Sequence, residues 1–167
     1  TSGINTRNQL VSITVDKNNP NITSDAITFP NGWETVGGTW VTITWNTSNV
    51  SDTIWLDNVD IHILKWWADQ WSICSGTNVG SCEWDITSVI SDSDYSVELR
   101  ATDLVGNTST DTSDANFTVD RNAPVVPSNT ITSPNGWGIY KGGENIDILW
   151  NSAWISDAGC LASNPIT

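Results

Sequence analysis

A motif that returns after about one hundred residues constrains this chain more than anything else in it. Pro30 to Asn46 reads P-N-G-W-E-T-V-G-G-T-W-V-T-I-T-W-N, and Pro134 to Asn151 reads P-N-G-W-G-I-Y-K-G-G-E-N-I-D-I-L-W-N. Asn31 returns as Asn135 and Trp45 as Trp150, offsets of 104 and 105 residues, with the extra residue near Lys141. That period is too long for a solenoid and has the usual size of one β-sandwich domain. The 167 residues therefore read as one complete unit with a piece of another on each side.

Period-two alternation marks the strands. In residues 10–16, Val11, Ile13 and Val15 alternate with Ser12 and Thr14; their counterparts Ala115, Phe117 and Val119 precede Asp120 as Val15 precedes Asp16. The segments D-K-N-N-P and D-R-N-A-P follow, each ended by a proline that cannot join a ladder. Residues 1–16 thus read as the last strand of a preceding unit, 20–120 as the complete unit and 124–167 as the start of a third. Within the complete unit, strands are expected at Ala26–Phe29, Thr39–Trp45, around Val59, Ile61 and Ile63, at Glu83–Ile86, around Tyr95, Val97, Leu99 and Ala101, and at Ala115–Val119. Val41, Ile43 and Trp45 share one face and return as Ile146, Ile148 and Trp150, still large and apolar. The opposite face changes character, as a sheet with one buried side allows. Residues 66–84 show the least regular pattern. About seven short strands without helices give an all-β class and an Ig-like antiparallel sandwich. Residues 124–167 hold about half a core and are expected to be poorly ordered alone.

Net charge is −13 with six Lys plus Arg, so the chain has little with which to neutralise nucleic-acid or anionic-lipid phosphates. No apolar run is long enough to span a bilayer, so no membrane insertion is expected within this segment. With no Met and no signal peptide, the chain reads as a mature or excised fragment. Cys74 and Cys82 flank S-G-T-N-V-G-S, a flexible loop suited to a small disulfide ring, with two free thiols as the alternative. Cys160 has Trp55 as its counterpart, and any partner for it lies beyond Thr167.

No catalytic constellation is present. His62, the one histidine, stands beside Asp60 on an outward strand position and reads as a solvated surface residue. Asp92 and Asp94 read as turn-capping acids. Asp16, Asp103 and Asp120 lie at junctions and in the last hairpin, where oxygen ligands for a structural calcium ion would stiffen tandem modules; capping of turns is the plainer reading. Trp66, Trp67, Trp71 and Trp84 are candidates to stack on sugar rings; against this, Trp71 and Trp84 would fill the core. The sequons at Asn21, Asn46, Asn49, Asn107 and Asn116 arise by chance in so Asn-, Ser- and Thr-rich a chain.

The P-N-G-x-E…G-G…strand-W-N stretch, and Y-S-V-E-L-R-A-T-D-L-V-G-N-T-S with F-T-V-D-R-N-A-P after it, resemble the Ig-like repeats of bacterial and archaeal surface proteins. The first pattern is shared with an Ig-like domain of fungal cell-wall proteins. The resemblance covers most of the complete unit. It implies a non-enzymatic stalk, filament or adhesin segment outside the cell. The expected partners are neighbouring repeats of the same chain, and homotypic subunits in a fibre or surface glycans. The alternative is a carbohydrate-binding module of a secreted enzyme that uses exposed Trp. Exchange of strands between subunits is a third possibility and ranks below simple truncation of the chain.

One departure stands out. The family pattern has Gly where this chain has Trp33 and Trp137, Trp154 stands where a small residue is usual, and Trp66-Trp67 sit where a Gly-Gly turn fits. Eleven Trp against two Phe and two Tyr is far above ordinary usage. Two readings stay open: every Trp is genuine, or some are UGA codons that certain uncultured bacteria read as Gly. Trp45, Trp71, Trp84 and Trp150 fit as true Trp.

Overall fold

The computed structural model describes residues 12–23 and 25–157. The segments in chain order are β1 (Asn21–Ile22), β2 (Ile27–Phe29), β3 (Thr35–Val36), β4 (Trp40–Trp45), β5 (Val50–Ser51), β6 (Leu56–Lys65) and β7 (Ala68–Gly76). They continue with β8 (Ser81–Asp85), β9 (Asp92–Asp103), β10 (Thr108–Thr112), β11 (Phe117–Val119), β12 (Ile131–Ser133) and β13 (Leu149–Trp150). The chain is all-β among the described residues, broken only by single 3-10 turns at Thr47–Asn49 and Ser152–Trp154.

Two sheets carry the core. One has the order β2-β4-β8; the other runs β3-β11-β9-β6-β7, with β10 also paired to β9. Every pairing is antiparallel except β3 with β11. The alternation predicted from sequence decides which side of each strand is inside. Val41, Ile43 and Trp45 of β4 are buried, as are Val59, Ile61 and Ile63 of β6 and Tyr95, Val97, Leu99 and Ala101 of β9. They join one continuous core with Phe117 and Val119. Trp84 stands at its centre, with ring centroids 6.1 Å from Tyr95 and 6.2 Å from Phe117 on the opposite sheet. Edge-to-face aromatic contacts of this kind add to the area they bury.

The stretch 66–84 is more regular than its sequence suggests. Nine of its residues form β7, a hairpin partner of β6 with register shifts between Ile61 and His62 and between Ile63 and Leu64. Those shifts break the period-two pattern, and an edge strand need bury little. β10, T-S-T-D-T, has no apolar residue and pairs along β9 from Thr108–Thr102 to Thr112–Glu98. Asp111 Oδ2 accepts from the Ile27 N–H at 3.2 Å, tying that strand to the facing sheet. Neither strand has the apolar spacing that reveals one.

Cys74 on β7 and Cys82 on β8 form a disulfide that links the edges of the two sheets. The loop between them is pinned rather than free. Asn78 Oδ1 accepts from the Trp45 indole N–H at 2.7 Å, and Asn78 Nδ2 donates to the carbonyls of Thr47 and Val50.

Residues 12–20 have no regular secondary structure, so over 12–16 the expected strand is not formed. A strand alone has no ladder to satisfy its backbone. Residues 1–11 of that segment, and Cys160, lie outside the described residues. β12 and β13 pair as β2 and β4 do. Asn151 caps its 3-10 turn through the Ala153 N–H, as Asn46 does through the Ser48 N–H. Ile146, Ile148 and Trp150, whose counterparts fill the core, are exposed, and no second sheet covers them among the described residues.

Candidate functional site

Two places outside the core gather side chains with binding chemistry. The first is the linker where the chain enters the unit. Asp103, 2% exposed, ends β9. Its Oδ1 accepts from the N–H groups of Val105 and Asn107, and its Oδ2 from Asn107 Nδ2 at 2.7 Å. Burial alone would push its carboxyl up; the bonds from Asn107, Val105 and Gly106 outweigh it and hold the group below its ordinary value. Asn107 Nδ2 also donates to the Asn18 carbonyl at 3.0 Å, and Ser109 Oγ to the Pro20 carbonyl at 2.7 Å. The D-K-N-N-P segment is thus seated on the β9–β10 hairpin. Oxygen atoms of Asp16, Asp52 and Asp103 lie within 4.8 Å of one another there.

Of the three junction acids singled out in the sequence, Asp16 and Asp103 come together and Asp120 does not. Asp120 opens the exit linker. Its N–H donates to the Val36 carbonyl and its Oδ1 accepts from the Asn122 N–H, as Asp16 Oδ1 accepts from the Asn18 N–H. Arg121 fastens that linker through its N–H to Ser91 Oγ and through Nη1 to the Val89 carbonyl. Asp52 escaped the sequence reading; its signal is the S-D pair at 51–52, which recurs at 156–157.

The second place is a groove of about 370 Å³ on the flank clasped by the disulfide, lined by Trp40, Trp71, Trp84, Glu83 and Asp85 among others. Trp40 is 59% exposed and Trp71 43%. Trp84 is only 3% exposed and presents its ring to the core. Trp71 leans on it at a centroid distance of 6.4 Å. Hydrogen bonds from the Thr87 N–H and side chain hold the Asp85 carboxyl below its ordinary value.

Trp66 and Trp67 lie elsewhere, at the tip of the β6–β7 hairpin, both exposed. The Trp66 indole N–H donates to Asp94 Oδ2 at 2.8 Å, and Lys65 Nζ stands 4.7 Å from the Trp66 ring centroid. Asp92 does more than cap a turn: its Oδ2 pairs with Lys65 Nζ at 2.7 Å. That bond holds the Asp92 carboxyl low and raises the Lys65 amine. His62 differs from its expected solvated state. Its side chain is 12% exposed, and Nδ1 stands 2.8 Å from Asp69 Oδ2, so it pairs with that acid when protonated. β7, unforeseen in the sequence, brings Asp69 there.

No helix among the described residues is long and apolar enough to cross a membrane, and the disulfide is the mark of an oxidising compartment. The chain matches no family model, no curated protein and no solved structure.

Proposed function

We propose that this protein is a non-enzymatic extracellular segment of tandem Ig-like sandwiches, acting as a stalk, filament or adhesin at a microbial surface. The observation that carries the reading is the seating of both linkers. Asn107 and Ser109 hold the entry strap, and Ser91 and Val89 hold the exit strap. A strap hydrogen-bonded to its module transmits force and direction; a free one acts as a flexible tether. The Ig-like assignment draws on the strand order. β2-β4-β8 face β11-β9-β6-β7, and the Tyr95 hydroxyl, near the start of β9, donates back to the Ile90 carbonyl at 3.1 Å. This is the arrangement of a tyrosine corner. Exposed Trp55, Leu104 and Val105, beside the entry linker, offer apolar surface to a neighbouring repeat.

Two copies of residues 17–120 joined head to tail give the test by small-angle scattering. β9 alone has 12 residues, so each repeat adds about 40 Å if stacked end on end. A maximum dimension that grows by that amount, and broadens in Asn107→Ala/Ser109→Ala, is expected. A dimension no larger than a flexibly linked pair gives, unchanged by the variant, would refute the stiff joint.

The groove of Trp40 and Trp71, with Glu83 and Asp85 as acceptors for hydroxyls, favours a second reading as a carbohydrate-binding module. Quenching or a shift of tryptophan emission by a cell-wall glycan, lost in Trp71→Ala, is its expected sign. Emission unchanged across a glycan panel removes it.

A further inference from the structure

We propose that Asp16, Asp52 and Asp103 bind a calcium ion that locks the entry strap onto the unit. The proposal rests on the reading of this linker as a joint between modules.

The three carboxylates come from separate places: the strap, the turn after β5 and the end of β9. An ion 2.3–2.6 Å from each of its ligands allows oxygen separations up to roughly 5 Å, and these oxygens lie within 4.8 Å of one another. None of the three is in an ion pair with Lys, Arg or His among the described residues. The decisive group is Asp52. Its Oδ2 accepts from the N–H groups of Ile54 and Trp55 at 2.6 and 2.9 Å. Its Oδ1 is fully buried and has no hydrogen-bond partner. A sealed carboxylate oxygen without a donor is costly unless a cation meets it. Asp103, also buried, is oriented by its own turn with one lone pair of Oδ2 to spare. The donor set is all oxygen, with no His or Cys in the group. This suits a hard divalent ion, and calcium accepts irregular geometry where magnesium demands a near octahedron.

The repeat supports the site independently. Asp16 returns as Asp120 and Asp52 as Asp157, at the offsets of the P-N-G and W-N motifs, while the place matching Asp103 falls past Thr167. The bridge Val125–Ser156 also reproduces the pairing of Asn21 with Ser51, which holds the residue before Asp52. The pairing of strap with turn, and the two acids that flank it in sequence, therefore recur at the second joint.

The test is calcium titration of the full chain by calorimetry, with melting curves in calcium, magnesium and chelator. One site with a dissociation constant of about 10⁻⁴ to 10⁻³ M, the range of extracellular calcium modules, is expected, with a melting temperature several degrees higher in excess calcium than in chelator. Asp16→Asn should weaken binding at least about tenfold while leaving the melt in chelator unchanged, since Asp16 lies outside the core; the loss of even an outer-shell partner of a ligand costs about 10–100-fold. Asp52→Asn should weaken binding likewise. Equal melts in calcium and chelator would overturn the proposal. So would equal shifts by magnesium, which would mark screening of the −13 net charge, or binding indifferent to both variants. Scattering of the tandem pair, in which Asp120 of the first copy stands before Lys17 of the second in the place of Asp16, separates the two ideas: an extended pair with no calcium response leaves the stalk reading standing and removes the ion.

Discussion

Trp84→Ala is expected to cost the complete unit roughly 3–5 kcal/mol, the range for truncating a buried large aromatic. Trp84 is 3% exposed and touches three rings, Trp71, Tyr95 and Phe117, at centroid distances of 6.4, 6.1 and 6.2 Å. All three contacts cross between the sheets, so their loss opens a cavity at the centre of the core. The neighbours cannot collapse into it without pulling β9 and β11 from register, because both strands are tied into the same ladder. A domain of this size holds about 5–15 kcal/mol in all, so the variant should be marginal. Its melting temperature should fall by at least about 12 °C at about 4–8 °C per kcal/mol. A denaturation midpoint close to that of the parent would show that the aromatic cluster does not organise the core.

Replacing Trp33, Trp66 and Trp67 together by Gly should act the other way and raise stability by about 2–3 kcal/mol. Only four non-glycine residues take positive φ among the described residues, and three are these Trp, at 69°, 52° and 65°. Trp66 and Trp67 are the two central residues of the β6–β7 hairpin, between paired Lys65 and Ala68. Positive φ at both positions is the type I′ turn, which glycine and asparagine favour. A bulky residue held there costs about 1–3 kcal/mol, and glycine returns about 0.5–1 of that through its unfolded-state entropy. Trp33 and Trp67, 89% and 73% exposed, have little packing to lose. Position 66 gains less, because it gives up the indole bond to Asp94 and the Lys65 contact. Trp137, which is absent from the positive-φ set, serves as the control: Trp137→Gly should bring no gain. Chemical denaturation of the triple variant, Trp137→Gly and the parent checks this, and a triple variant less stable than the parent would contradict the strain argument. The coding triplets bear on the same positions. UGA read as glycine would supply the residue these backbones favour, whereas UGG at 33 would sink that reading.

Gly32 shows why the P-N-G motif stands in both copies while most of the residues from Glu34 onward differ. It has φ of 131°, and a Cβ there would stand 2.6 Å from the Ala115 Cβ, where the turn meets the chain before β11. Motifs of this kind are legible because the requirement is local to one residue. β4, β6 and β9 were legible for a related reason: each has one buried side, so burial writes period two into the sequence. β7 and β10 were hidden because their partners, rather than their own side chains, hold them in the sheet.

The sequence by itself determined the all-β class, the inward faces of the central strands, the pairing candidates Cys74 and Cys82 and, of the Trp that looked out of place, the three at positive φ, Trp33, Trp66 and Trp67. All of these depend on near neighbours in the chain or on a two-residue period. Only the tertiary structure decided that Trp84 belongs to the core while Trp40 and Trp71 share an open groove, that Lys65 is buried against Asp92, and that Asp52 rather than Asp120 joins Asp16 and Asp103. Those outcomes depend on which strands lie side by side. Residues 16, 52 and 103 meet because a strap, a turn and a hairpin converge on one end of the unit, and spacing along the chain carries no record of that convergence.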